Sequence, residues 1–190
     1  MRASRWAVFL DRDGTIIEET GYLSDPEKVR LIEGAASSVA ELNRRGVPVV
    51  VVSNQAGVAR GLVTNRDLQT VNRRMSELLS AGGASLDAMY FCPHHPEYDR
   101  QCDCRKPQPG LILRAAKELS IDLARSFMVG DRLIDMQAGR SAGTATVFLR
   151  TGYGEKELSE NREEVPRIAD KICDDLREAV GWILSERSEE

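Results

Sequence analysis

The stretch Trp6-Ala7-Val8-Phe9-Leu10-Asp11-Arg12-Asp13-Gly14-Thr15 decides the reading of this chain. Its five apolar residues, bounded by a turn-forming Asp-Gly, read as a short buried strand. Asp11 therefore falls where a strand gives way to a loop. In an open α/β sheet that edge is where ligands bind. Carboxylates at i and i+2, in a segment that has left regular strand geometry, can converge on one metal ion and one reacting centre, one as nucleophile and the other as proton donor. Calcium loops and plain turns use the same residues, so the pair takes its meaning from the rest of the chain.

Working outward, residues 14–33 read as a loop, and Ala35, Val39 and Leu42 at helix spacing predict a helix over residues 34–45, stopped by Gly46. Val47-Pro48-Val49-Val50-Val51-Val52 is a second buried strand with its proline near the start. Strand, helix and strand in this order make a βαβ unit. A helix from Thr64 and Asn65 through Leu79 follows, with Leu68, Val71, Met75, Leu78 and Leu79 as one core-facing stripe. Ala88-Met89-Tyr90-Phe91 is a short strand. A helix opened by Pro109 and running to Leu119, a strand at Ser126-Phe127-Met128-Val129, a helix over residues 133–141 and a strand over 144–149 come next. Residues 151–167 read as polar and irregular, and a last short strand over 168–173 leads to a helix capped by Asp174. The expected fold is α/β, a doubly wound, mainly parallel Rossmann-like sheet forming one domain over residues 1–190.

The composition is ordinary for a globular protein, with 42% hydrophobic and 29% charged residues. A net charge of −4 gives no global attraction for nucleic acid or an anionic membrane. The N-terminal Met1-Arg2-Ala3-Ser4-Arg5 runs straight into the first strand with no apolar leader, so a cytoplasmic protein acting on a small molecule is expected. Three of the 4 cysteines cluster, which in a reducing compartment argues for metal rather than disulfides.

Three further segments stand in order behind the opening pair: Val51-Val52-Ser53-Asn54-Gln55, Arg105-Lys106-Pro107 and Val129-Gly130-Asp131-Arg132-Leu133-Ile134-Asp135. Together the four resemble the signature segments of the haloacid dehalogenase superfamily of phosphohydrolases. The resemblance implies that Asp11 is a nucleophile forming an aspartyl-phosphate, that Asp13 is the proton donor and acceptor, and that Ser53 and Lys106 hold the transferred phosphoryl group. Two acidic groups and a phosphate can share a site only with a hard divalent ion, Mg²⁺. Its ligands would be Asp11, Asp131 and, by the resemblance, the Asp13 main-chain carbonyl. Asp135 could join that shell, cap its helix or pair with an arginine.

Cys92-Pro93-His94 and Cys102-Asp103-Cys104 supply four soft or borderline ligands, enough to close a structural Zn²⁺ site with no position left for water. His95 is the alternative to His94, and reduced surface thiols the alternative to metal. A metal would explain how residues 93–109, almost without apolar side chains, are held in place. Cys173 reads as a core residue.

With the zinc loop (residues 92–104) and Ala59-Arg60-Gly61, the chain resembles the D-glycero-D-manno-heptose-1,7-bisphosphate 7-phosphatases; histidinol-phosphate phosphatases share the zinc loop and are the alternative. The resemblance implies a monomer that removes the C7 phosphate, leaving heptose 1-phosphate for nucleotide activation toward lipopolysaccharide or related glycans. Arg105 would read the sugar or second phosphate, and Arg12, Glu19, Thr20, Gly21, Tyr22, Ser53, Asn54, Gln55, Ala56 and Arg132 would bind substrate. The short span between Asp11 and Ser53 leaves no room for a folded cap domain, so the zinc loop would act as a small rigid lid. Two other classes fit part of the pattern. A phospho-accepting signalling domain lacks an acid two residues after the accepting Asp, and a zinc-dependent interaction module would not need Asp11.

Overall fold

The computed structural model describes residues 5–188. The expectation that residues 1–4 run without a leader into the first strand lies outside the described residues. Six strands form one sheet: β1 (Val8–Leu10), β2 (Val49–Asn54), β3 (Ala88–Cys92), β4 (Phe127–Gly130), β5 (Ala145–Leu149) and β6 (Lys171–Cys173). Their order is β3-β2-β1-β4-β5-β6, and every pairing is parallel. The chain builds outward from β1 in one direction and then, from β4, in the other. The loops leaving β1 and β4 therefore part company at neighbouring strand ends, which opens a crevice at that point.

Helices α1 (Ala35–Arg44), α2 (Asn65–Ala81), α3 (Gly110–Leu119), α4 (Leu133–Ala142), α5 (Gly154–Glu160), α6 (Glu164–Ile168) and α7 (Leu176–Ser188) cover both faces. Side chains alternate along each strand, so two cores result. Val8, Leu10, Val49, Val51, Phe127 and Val129 pack with residues of α1, α2 and α7. Ala7, Phe9, Val50, Val52 and Met128 pack with residues of α3 and α4. Burial on both faces is why these strands are apolar throughout instead of alternating. Among the described residues no helix is long and apolar enough to cross a membrane.

Two expectations need correction. Residues 151–167 are not irregular: α5 and α6 form there, although neither sequence shows an amphipathic period. Val165 of α6 is buried with Met136 and Phe148, and such tertiary packing stabilises helices too short to stand alone. The cap of α7 is Asp175 rather than Asp174, because its Oδ1 accepts from the Glu178 amide at 2.9 Å. Glu178 in turn accepts from the Asp174 amide at 2.8 Å.

Phe127 is 2% exposed and lies edge-on between Trp6 and Trp182, with its ring centroid 5.9 Å from each. Phe127→Ala is expected to lower unfolding free energy by about 3–5 kcal/mol, the usual range for a buried Phe truncated to Ala. Urea denaturation followed by indole emission measures this, and a loss under about 1 kcal/mol would contradict the packing described.

Candidate active site

The site is assembled by strand ends. The Asp11 amide continues the β1–β4 ladder, donating to the Val129 carbonyl at 3.0 Å, and Asp131 follows directly on β4. Neighbouring parallel strands that stop together thus bring the two carboxylates side by side. One turn into α4, Asp135 accepts from the Arg132 amide at 3.1 Å and so caps its own helix. Carboxylate oxygens of Asp11, Asp131 and Asp135 lie within 4.8 Å of one another, and all three residues are buried. Asp135 does not pair with an arginine. Its partner is Lys106, whose ammonium is 2.7 Å from Asp135 Oδ1 and 2.8 Å from Asp11 Oδ1, and donates to the Val52 carbonyl at 2.8 Å.

One cation among three buried anions leaves an excess of negative charge. Burial, then repulsion from Asp135 and Asp11, pushes Asp131 from an ordinary 3.8 up to about 8. Burial also raises Asp135, against the attraction of Lys106. For Lys106, burial works downward, but Asp11 and Asp135 outweigh it and the net shift is upward. Asp131 Oδ2 accepts from the Tyr153 amide at 2.7 Å, whereas its Oδ1 is buried with no hydrogen-bond partner. Gly14 (φ +80°) and Gly152 close around this carboxylate, and a Cβ on either would come within 2.3 Å of Asp131 Oδ2. A cluster of buried, hard oxygen donors with an orphaned oxygen fits a divalent cation of the Mg²⁺ type.

Asp13 faces the same cavity, held by its neighbours. Arg12 donates to it from Nε (3.1 Å) and Nη2 (3.0 Å), and Gln55 Nε2 donates at 2.8 Å. The cavity encloses about 290 Å³. Of the residues expected to bind substrate, Asp11, Asp13, Glu19, Gly21, Tyr22, Asn54, Gln55, Ala56, Arg105, Lys106 and Arg132 line it. Burial raises the half-buried Glu19, which accepts from the Gly21 amide at 2.6 Å.

Four of the expected residues stand off the lining or are engaged by a neighbour. Arg12 does not line the cavity: it is buried, and its remaining donors serve Asn72 (2.8 Å) and Gln55 (3.0 Å). Ser53 is also buried off the lining, because β2 runs on to Asn54 and alternation turns its hydroxyl away, where it accepts from Gln55 at 2.8 Å. Asn54 lines the cavity, yet its amide is spent on Lys106, accepting from the amide of that residue and donating to its carbonyl, both at 3.0 Å. Thr20 is exposed and does not line the cavity. The lining also includes Gly57, Ile134 and Tyr153, which the sequence reading missed. Tyr153 follows Gly152, the one local signal that the chain passes close to something.

The second constellation forms in part. Cys92, Cys102 and Cys104 converge, with sulfur separations of 2.9, 3.3 and 3.4 Å. Thiolates on one tetrahedral zinc stand roughly 3.8 Å apart, given Zn–S bonds near 2.3 Å, so the three sulfurs are close to a ligand set. His94 is not with them: its Nδ1 lies 2.5 Å from Asp99 Oδ2 and its Nε2 2.9 Å from Arg100. Neither does His95 join; its ring lies tilted against that of Tyr98, with centroids 5.0 Å apart. Cys173 is a buried core residue, as expected.

Asp131 gives the cation a pH signature. A carboxyl raised from 3.8 to about 8 favours the protonated fold, so the stability it contributes is fully present below about pH 4 and is lost as pH rises toward 8. A cation that replaces the proton removes that loss. Added Mg²⁺ is therefore expected to raise the melting temperature more at about pH 8 than at about pH 5, releasing protons as it binds. Equal shifts at both pH values in scanning fluorimetry would contradict this.

The HAD-hydrolase-like family model matches residues 103–179. The D-glycero-D-manno-heptose-1,7-bisphosphate 7-phosphatase of Chlorobaculum tepidum is 41% identical over 191 residues, covering 94% of each chain. The D-glycero-beta-D-manno-heptose-1,7-bisphosphate 7-phosphatase of Escherichia coli K12 is 45% identical over 152 residues, covering 77% of this chain and 80% of its own. The crystal structure of D,D-heptose 1,7-bisphosphate phosphatase from B. bronchiseptica, complexed with magnesium and phosphate, superposes with a TM-score of 0.87 at 34% identity, covering 95% of this chain and 99% of that one. With this extent of identity and a shared fold, the chain belongs to the D-glycero-D-manno-heptose-1,7-bisphosphate 7-phosphatase family of haloacid dehalogenase-like hydrolases.

Proposed function

We propose that this protein hydrolyses the C7 phosphate of D-glycero-D-manno-heptose 1,7-bisphosphate, releasing inorganic phosphate and heptose 1-phosphate. The observation that carries this reading is the buried Asp11–Lys106–Asp135 cluster beside Asp131, at one end of a cavity that also presents Arg105 and Arg132. In the first step an Asp11 carboxylate oxygen forms a bond to phosphorus while the bond from phosphorus to the C7 oxygen breaks. Asp13 gives that oxygen its proton, and to do so one of its oxygens must leave Arg12 or Gln55. In the second step water, losing a proton to Asp13, attacks phosphorus and the Asp11–phosphorus bond breaks.

Lys106 already sits 2.8 Å from Asp11 Oδ1, so it can hold an oxygen of a phosphoryl group attached there. Mg²⁺, held by Asp11, Asp131 and the Asp13 carbonyl, would neutralise charge on the phosphoryl oxygens. Asp135 fixes Lys106 in place. Arg105 is assigned to the sugar or the second phosphate. Cys92, Cys102 and Cys104 are assigned to a structural Zn²⁺, with His94 as fourth ligand once its ring turns from Asp99 and Arg100.

Phosphate release with Mg²⁺ should be fastest from heptose 1,7-bisphosphate, with both anomers and histidinol phosphate assayed in parallel. Asp11→Asn should abolish turnover, and Asp13→Asn should reduce kcat by about 10²–10⁴-fold. Turnover by Asp11→Asn would end the mechanism; a strong preference for histidinol phosphate would end only the substrate assignment. Cys104→Ser should lose stoichiometric zinc in elemental analysis and unfold at lower temperature. Purified wild-type protein with no bound zinc would remove that assignment.

A further inference from the structure

We infer that Asn72, on α2, is a positioning residue that acts through Arg12 on Asp13; this rests on the acid–base role proposed for Asp13. Asn72 is out of character with its helix face. Leu68, Val71, Met75 and Leu79 beside it are all buried in the core, and Asn72 is the one polar side chain buried among them. Its Oδ1 accepts from Arg12 Nη1 at 2.8 Å. Arg12 is itself only 2% exposed, and a buried guanidinium persists only where its donors are met. Its remaining contacts all run to the active site: two hydrogen bonds to Asp13 and one to Gln55.

With Asn72 in place there is little room for a solvent molecule to serve Arg12 Nη1 as well. The gap bounded by Arg12, Ser53, Gln55 and Asn72 has a volume of about 10 Å³, no more than the least room one water needs. Removing the Asn72 oxygen leaves Arg12 Nη1 unpartnered in an apolar wall. The guanidinium then shifts toward the remaining acceptors, and the carboxylate it grips from two sides shifts with it. Asp13 must reach the leaving oxygen in one step and a water in the next, so displacement by a fraction of an ångström registers in the rate.

The test is a double-mutant cycle on whichever phosphomonoester the wild-type enzyme turns over fastest. Asn72→Leu is expected to lower kcat about 10- to 100-fold with little change in KM, the size of loss that a 1 Å misplacement produces. Asn72→Asp, which keeps an oxygen facing Arg12, should recover most of that loss. In the Asp13→Asn background, Asn72→Leu should have no further effect on kcat, because the group it positions has already lost its function. Should Asn72→Leu fail to fold, Asn72→Ala enters the same cycle. An equal loss in both backgrounds, a loss confined to KM, or no loss at all would overturn the inference. If instead Asp13→Asn alone keeps full kcat, the acid–base assignment of Asp13 is what fails.

Discussion

The buried ammonium of Lys106 is the contact on which the rest of this site depends. Three carboxylates withdrawn from water repel one another, and a cation set between Asp11 and Asp135 offsets that repulsion. Lys106 meets both and also donates to Val52 in β2. The end of β2 therefore serves chiefly to hold a lysine supplied from a distant part of the chain. Asn54 completes that hold by pairing with both main-chain groups of Lys106. A single side chain thus ties β1, β2 and α4 to the segment that precedes α3. Burial, and then the excess negative charge that remains, raise Asp131 and make a divalent cation the natural complement.

Much of this could be read from sequence because it follows from where strands end. Asp11 and Asp131 each come directly after an apolar run, and the reversal of strand order between β3 and β4 makes those runs neighbours. The roles around Ser53, Asn54 and Gln55 were less legible, since they depend on β2 continuing two residues beyond its apolar run. That extension sends Ser53 inward, gives Asn54 to Lys106 and leaves Gln55 to touch Asp13. Asn72 was hidden for a related reason: it lies at a core spacing on α2, and only the position of Arg12 gives its amide a purpose. Tyr153 was missed because α5 and α6 owe their existence to packing against Met136 and Phe148, which no local period announces.

The Ala59-Arg60-Gly61 segment shows the reverse case, visible in sequence but silent about its work. The Ala59 amide donates to the Pro93 carbonyl at 3.1 Å. The Arg60 guanidinium lies 4.3 Å from the centroid of the Tyr98 ring and 5.5 Å from that of Tyr22. Tyr98 belongs to the cysteine-bearing segment and Tyr22 lines the cavity, so one cation joins two loops that share no strand. Contacts of this kind are worth about 0.5–2 kcal/mol each. They help explain how a segment so poor in apolar side chains is anchored.

That anchoring bears on how a second phosphate would be read. Arg105 and Arg132 are the two cavity cations besides Lys106, and they are not equally available. Arg132 is 3.3 Å from Glu157 and lies over the Tyr153 ring, so much of its charge is already answered. Arg105 has no carboxylate partner among the described residues, and its Nη1 donates to a neutral acceptor, the His94 carbonyl, at 3.2 Å. A guanidinium held by a carbonyl is oriented without being neutralised, which suits it to bind an anion. The acceptor that orients it belongs to the segment gathered by Cys92, Cys102 and Cys104, so on the proposed reading the geometry of the cysteine cluster reaches substrate selection through one main-chain oxygen.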